Sequence, residues 1–263
     1  MERIRNRVTV EFDRHIARVA LSRPDKFNGL DLDMMYALVE AAKRVRKQTG
    51  IRAVILSGEG QAFCAGLDFA SVTRRPGRLL AGFLPWLSKD NLFQRLCLAW
   101  RDLPVPVIAV THGYCFGGGL QLALGCDFRF SEPGCVFSVM EIQWGLIPDM
   151  GAAVTLRALV PVDVAMELAM TGRKFDAEEA LALNLVSRVA PEPLAAAEAF
   201  ASTLAAQSPD AVRAAKRLFR DTRTGSERRA LRRERWLQLK LLLGRNQREA
   251  MRAKMEKRDP DFR

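Results

Sequence analysis

The stretch Pro106-Val-Ile-Ala-Val-Thr-His-Gly-Tyr-Cys-Phe-Gly117-Gly118-Gly119-Leu120-Gln121-Leu-Ala-Leu124 runs from a short apolar strand through three successive glycines into a helix. Glycine lets main-chain N–H groups approach a ligand with no Cβ in the way, and the start of a helix adds partial positive charge. Such a turn suits an oxyanion, a nucleotide phosphate or simply close packing, and alone it does not choose among them. A phosphate-binding loop needs Gly-Lys-Ser/Thr, and a dinucleotide fold needs Gly-x-Gly-x-x-Gly after an early strand; the chain has neither. A second turn, Phe63-Cys64-Ala65-Gly66-Leu67-Asp68, again follows a strand. Two main-chain donors on separate loops are what a thioester oxyanion requires.

Outward from these turns the pattern alternates strand and helix. Residues 8–12 and 15–21 alternate around Asp13-Arg14 and predict a β-hairpin, ended by Arg23-Pro24. Asp31 is placed to cap a helix over 32–48, whose Met35, Leu38, Val39, Ala42 and Val45 recur at helical spacing, with Gly50 closing it. Residues 53–56 and 107–110 are short apolar strands, so the chain reads as α/β. Residues 69–88, which mix Arg74-Arg75-Pro76-Gly77 with apolar side chains, read as a mobile loop or broken helix beside a pocket. Beyond Pro191 the strands stop, and residues 194–206, 209–221, 226–243 and 245–258 suit helices.

Composition removes several classes. With 263 residues, 49% of them hydrophobic, the chain can bury a large core, and no apolar run reaches the roughly 18 residues that a membrane span needs. No signal segment precedes the first strand. Five cysteines, odd in number and without a Cys-x-x-Cys pair, argue against disulfides and zinc and for a reducing cytoplasm. His15 and His112 have no evident nucleophile partner, and Cys64 and Cys115 read as small buried hydrophobes, so neither a hydrolytic triad nor a metal cluster is indicated. The net charge of +11, concentrated late in the chain, suits a polyanionic ligand or a solvated helix face.

Three segments then carry a specific resemblance. Cys64-Ala-Gly-Leu-Asp68, Gly117-Gly-Gly-Leu-Gln121, and Phe137-Ser-Val-Met-Glu141 through Gly145-Leu-Ile-Pro-Asp149 resemble, in order and spacing, the motif series of the crotonase superfamily of enoyl-CoA hydratases and isomerases. The likeness extends from Arg23-Pro24-Asp-Lys-Phe-Asn28 to Glu256-Lys257-Arg258-Asp-Pro-Asp-Phe262. It implies a crotonase-like spiral of ββα units over 1–195 with a helical C-terminal subdomain over 196–263, assembled as a homotrimer or homohexamer. It also implies an acyl-CoA thioester substrate, with coenzyme A arriving as part of it, no further cofactor, and no nucleic-acid or membrane partner.

By that resemblance the backbone N–H groups of Leu67 and Gly118 form the oxyanion hole. Lys26, Phe27, Gly29, Ala65, Asp68 and Lys257 match CoA- or substrate-contacting positions. Family hydratases share acid/base work between two glutamates at positions matching Gln121 and Glu141, and a glutamine has no proton to exchange. Two-glutamate hydration is thereby disfavoured, while Glu141 suffices for an isomerase, with Asp149 matching an acidic partner in dienoyl-CoA isomerases. Those isomerases carry an aspartate where this chain has Gln121. Against these roles stand plainer ones: an ion-paired Glu141, an Asp149 that caps the next helix, and a Gln121 that merely packs. Trp86, Trp144, Phe83 and Met140 are candidate acyl-pocket residues or ordinary core. The expected activity is a double-bond shift; a hydratase using Glu141 and Gln121, or an RNA-binding or silent member of the fold, are the alternatives.

Overall fold

The computed structural model describes residues 1–74, 76–84 and 89–262, without the side chains of Pro76 and Leu79. Trp86 lies outside the described residues. The chain opens with β1 (Glu2–Ile4), β2 (Val8–Asp13) and β3 (Ile16–Leu21), an antiparallel meander in which Asp13 pairs with Ile16 and Val8 with Leu21. The expected hairpin is present, with its turn at Arg14-His15; Arg14 takes the left-handed backbone (φ 50°).

From β3 onward the chain winds as a spiral, each turn adding one strand to an outer sheet and one extended segment to an inner one. The first turn runs from β3 through residues 28–30 into α1 (Leu32–Lys47), where Asp31 caps the helix by accepting from Met34 N at 2.7 Å. The second passes from β4 (Ala53–Gly58) through residues 64–67 into α2 (Phe69–Val72), α3 (Pro76–Phe83) and α4 (Leu92–Arg101). The third is β5 (Val107–Thr111), β6 (Tyr114–Phe116) and α5 (Gly118–Leu124). The fourth is β7 (Phe128–Ser131), β8 (Val136–Ser138), a 3-10 turn over Glu141–Trp144, α6 (Ala152–Thr155) and α7 (Val162–Thr171). Strand β9 (Lys174–Phe175) returns antiparallel to β8, and α8 (Ala177–Ala182) leads to β10 (Arg188–Val189).

The outer sheet has the order β1-β2-β3-β4-β5-β7-β10, parallel from β3 onward. In the inner layer Leu30 pairs with Leu67, Cys64 with Cys115 and Cys115 with Phe137, all parallel. This is the expected α/β spiral of ββα units. Helix α9 (Pro193–Ala205) covers the outer sheet, its Ala197 and Ala201 meeting Ala53, Ile55, Ile108, Val110 and Phe130. Helices α10 (Pro209–Thr222), α11 (Glu227–Leu242) and α12 (Arg245–Glu256) complete the helical C-terminus within a residue or two of the predicted bounds. No helix among the described residues is long and apolar enough to cross a membrane.

One polar residue ties the first two turns together. Asn28, fully buried with φ 55°, accepts from Arg23 N at 2.8 Å and donates to Glu59 O at 2.9 Å and Ala62 O at 2.8 Å. Its neighbour Arg23 binds Asp68 at 2.8 Å and Gly29 O at 3.1 Å, and Arg7 clamps Asp31 at 2.8 Å. Three hydrogen bonds, one buried and two part-buried, at about 1 kcal/mol each, plus about 1 kcal/mol for forcing alanine into the left-handed region, make Asn28→Ala about 4 kcal/mol destabilising. Equilibrium unfolding in urea checks this. Asn28→Gly, which accepts the backbone angle, is expected to recover about 1 kcal/mol of the loss.

Candidate active site

The two sequence-predicted donor turns adjoin. Leu30 N donates to Gly66 O at 2.8 Å and Asp68 N donates to Leu30 O at 3.1 Å, the parallel pattern that directs Leu67's own N–H away from Leu30. On the next segment Gly117 (φ 48°, ψ −119°) caps α5, and the first bond inside that helix is Gln121 N to Gly117 O at 2.9 Å. The Gly118 N–H therefore precedes the helical ladder and stays available. Neither Leu67 N–H nor Gly118 N–H has an acceptor among the described residues. A Cβ on Gly66 (φ 91°) would stand 2.9 Å from Phe116 O and 3.7 Å from Gly118 N. The glycines thus hold the two turns within a side chain's width of each other.

Glu141 faces the same turn: a Cβ on Gly117 would sit 3.3 Å from its Oε1. That oxygen accepts from Gln121 Nε2 at 2.6 Å, while Oε2 is buried with no partner among the described residues. Gln121 is itself 2% exposed, and its Oε1 accepts from Met150 N at 2.8 Å and Ala152 N at 3.3 Å. Donors on one side and a carboxylate on the other leave one sensible orientation for the amide. Gln121 therefore does more than fill space; it links Glu141 to the loop that carries Asp149.

Burial is the largest influence on Glu141 and raises its pKa; the Gln121 bond opposes it, and the nearby charge of Asp149 raises it further. Burial also raises Asp149. Helix α6 begins after Gly151 with no side-chain cap, so Asp149 is not its capping residue. Two carboxyls with raised proton affinity, beside two free main-chain donors, form an arrangement able to move a proton next to a polarised carbonyl.

The expected CoA contacts separate. Lys26 and Phe27 are exposed just after β3, and Phe27, in the left-handed region, meets Tyr114 edge-on at 6.1 Å. Gly29 is buried, its carbonyl engaged by Arg23, and Ala65 N donates to Phe27 O at 2.9 Å. Asp68 caps α2, accepting from Ser71 N at 3.0 Å and Ser71 Oγ at 2.6 Å while paired with Arg23. Burial works against its charge, yet those partners prevail and leave its pKa lowered. Lys257 ends α12, and Phe262, five residues on, is held by Arg52 before the start of β4, whereas the donor turn follows the end of β4. Lys257 thus stands at the end of the last helix and Lys26 on the turn after β3.

His15 Nδ1 and His112 Nε2 bond the carbonyls of Gly50 and Gly60. All five cysteines are buried, which pushes the Cys64 thiol up to about 12. Phe83 stacks on Phe93 at 4.3 Å, and the expected broken helix is present as α2 (Phe69–Val72) and α3 (Pro76–Phe83). Sequence reasoning missed the braces Asn28 and Arg23 and the stack of Phe69 on Trp144 at 4.1 Å. An aromatic directly after the Leu67-Asp68 turn was the available signal for that stack.

A family model described as enoyl-CoA hydratase/isomerase matches residues 11–263. The chain is 34% identical over 260 residues to enoyl-CoA hydratase EchA19 of Mycobacterium tuberculosis, covering 96% of this chain and 95% of that one. It is 36% identical over 216 residues to the mitochondrial Delta(3,5)-Delta(2,4)-dienoyl-CoA isomerase of Rattus norvegicus, covering 77% of this chain and 65% of that one. Among solved structures, the enoyl-CoA hydratase of Bacillus anthracis superposes with a TM-score of 0.89 at 28% identity, over 97% of this chain and 98% of that one. Fold and sequence define an acyl-CoA enzyme acting at a thioester double bond. The chain belongs to the enoyl-CoA hydratase/isomerase family, the crotonase superfamily.

The donor geometry can be tested without touching a side chain that does chemistry. Gly66→Ala drives a Cβ against Phe116 O and strains φ 91°, parting the Leu67 and Gly118 donors. Loss of one such donor costs about 100- to 1,000-fold in kcat, so a fall of at least about 100-fold, with far-UV circular dichroism retained, is expected.

Proposed function

We propose that the protein is an isomerase that shifts a double bond of an enoyl- or dienoyl-CoA. The observation that carries this reading is Gln121: a neutral amide, bonded to Glu141 at 2.6 Å, where a second general base would be needed for two-carboxylate hydration. In this reading Leu67 and Gly118 N–H groups bind the thioester oxygen. Glu141 removes a proton from the substrate, the charge moves onto that oxygen as an enolate, and the proton returns at another carbon of the conjugated system. In the same reading Asp149 delivers or takes it there. Gln121 acts as a positioning residue that holds Glu141.

Lys26 and Phe27 are proposed to meet the CoA moiety, with Lys257 reaching it from a neighbouring copy. Exposed Leu239, Leu242, Leu243, Met251 and Met255 on the terminal helices support a homotrimer or homohexamer. Free, buried cysteines suit a cytoplasmic setting. Hydration is the second reading, favoured by the likeness to EchA19.

Product analysis separates the two. Given 3,5-dienoyl-CoA, 3-enoyl-CoA and 2-enoyl-CoA in turn, the enzyme is expected to yield shifted isomers from the first two and little 3-hydroxyacyl-CoA from the last. Glu141→Gln is expected to lower kcat about 1,000-fold, the middle of the range for a lost general base. Rapid 3-hydroxyacyl-CoA formation overturns the isomerase reading.

The pH profile provides a further check. The working base is the Glu141 carboxylate, so activity rises with pH through its raised pKa. The Gln121 bond stabilises that carboxylate; Gln121→Ala removes it and moves the acid limb of kcat/KM to higher pH. A downward shift contradicts the assignment.

A further inference from the structure

The side chains of Phe69 and Trp144 stack at 4.1 Å between ring centroids, with 24° between planes. Phe69 stands two residues beyond Leu67, and Trp144 three beyond Glu141. In the inner layer the order is residues 64–67, then β6, then β8. The ring pair therefore joins the second and fourth turns of the spiral across the end of β6, where Gly117 and Gly118 lie. The bridge thus stands within three residues of both Leu67 and Glu141.

Trp144 is 57% exposed although Phe69 covers one of its faces. Its surroundings on the same loop are apolar and open too: Leu146 is 47% and Ile147 75% exposed. A large ring, fixed by a stack and left open beside a base that works best without water, has the form of a surface completed by a ligand.

We propose that Trp144, held in place by Phe69, is a specificity-determining residue that selects acyl groups remaining flat and conjugated beyond the reacting carbons, aryl or polyenoyl. The proposal rests on the reading that the acyl thioester binds at Leu67, Gly118 and Glu141. A flat π-system lies on the open face of the indole, whereas a flexible saturated chain gains only ordinary apolar contact there. The bridge also fixes the separation of the Leu67 and Glu141 loops, so the ring that reads the substrate is braced from the loop that binds its oxygen.

Titration calorimetry in the Glu141→Gln background measures binding without turnover. The probes are cinnamoyl-CoA, 2,4-hexadienoyl-CoA and hexanoyl-CoA. Stacking is expected to make the parent bind the two conjugated ligands about three- to tenfold tighter than the saturated one. Adding Trp144→Ala is expected to erase that ratio, and Trp144→Phe, which keeps a flat ring, to retain part of it. Tighter binding of cinnamoyl-CoA alone assigns the site to aryl groups, and of both to conjugation in general. A ratio unchanged by Trp144→Ala, or no preference in the parent, overturns the proposal. So does a change confined to oligomer size, which would mean that a second copy covers the ring. Because the ratio is read without catalysis, it can fail while the product assay succeeds, and the reverse.

Discussion

The parallel pairing of Cys64 with Cys115 and of Cys115 with Phe137 sets the chemistry of the molecule. Neighbouring strands lie about 4.8 Å apart, so equal offsets from that row fall side by side. Leu67 and Gly118 each stand three residues beyond it, and Glu141 four beyond Phe137. Two donors and a carboxylate are thus carried just beyond one row of paired residues, on three successive turns. A slip of one residue would turn every side chain of a segment to the opposite face. Glycine guards against the slip: a Cβ on Gly119 would meet Cys64 O at 2.5 Å, and one on Gly113 would meet Gln61 O at 1.9 Å. Only that register, with bare glycines at those positions, lets the layers close.

Polar groups then secure what the register brings together. Asn28 and Arg23 fasten the first turn to the second, and the Gln121 amide fastens the third to the fourth through Met150, Ala152 and Glu141. The second of these is asymmetric. It reaches Glu141 Oε1 and leaves Oε2 buried with no donor among the described residues. A carboxylate so placed weakens the folded state and gains proton affinity, a combination that belongs to function rather than to stability. The basic excess has a more mixed explanation. Lys216 pairs with Asp127, Arg233 with Asp221 and Arg258 with Glu249, so several late-chain cations are structural, and Lys26 is exposed beside the exposed Phe27.

Periodicity revealed the parts of this fold that are long enough to be periodic. The alternation in β2 and β3, the Asp31 cap with its helix, and the four terminal helices were all legible with small errors at their ends. The inner layer was not, because β6, β8 and β9 are two or three residues long and β6 is buried in a Gly-rich motif that reads as a turn. The donor turns and Glu141 were recognisable only through ordered motifs, since their geometry arises from pairing between segments some 50 and 20 residues apart (64 with 115, and 115 with 137). Asn28 was quoted only as the end of a motif, and its bracing role went unread because it lies in three carbonyl and amide partners that only folding supplies.

The replacement of a carboxylate by an amide at 121 has a direct electrostatic consequence. A glutamate there, 2.6 Å from Glu141 Oε1, could not share ionisation with it; the two would hold one proton between them and titrate as a pair. The amide breaks that coupling. Its N–H₂ group is a permanent donor and its oxygen is occupied by two main-chain amides, so no proton is shared between the partners of that hydrogen bond. The remaining like charge, Asp149, acts through space rather than through a shared proton. Glu141 and Asp149 are thus the two carboxyls of raised proton affinity at this site, and the amide at 121, unlike a carboxylate, brings no proton of its own to exchange.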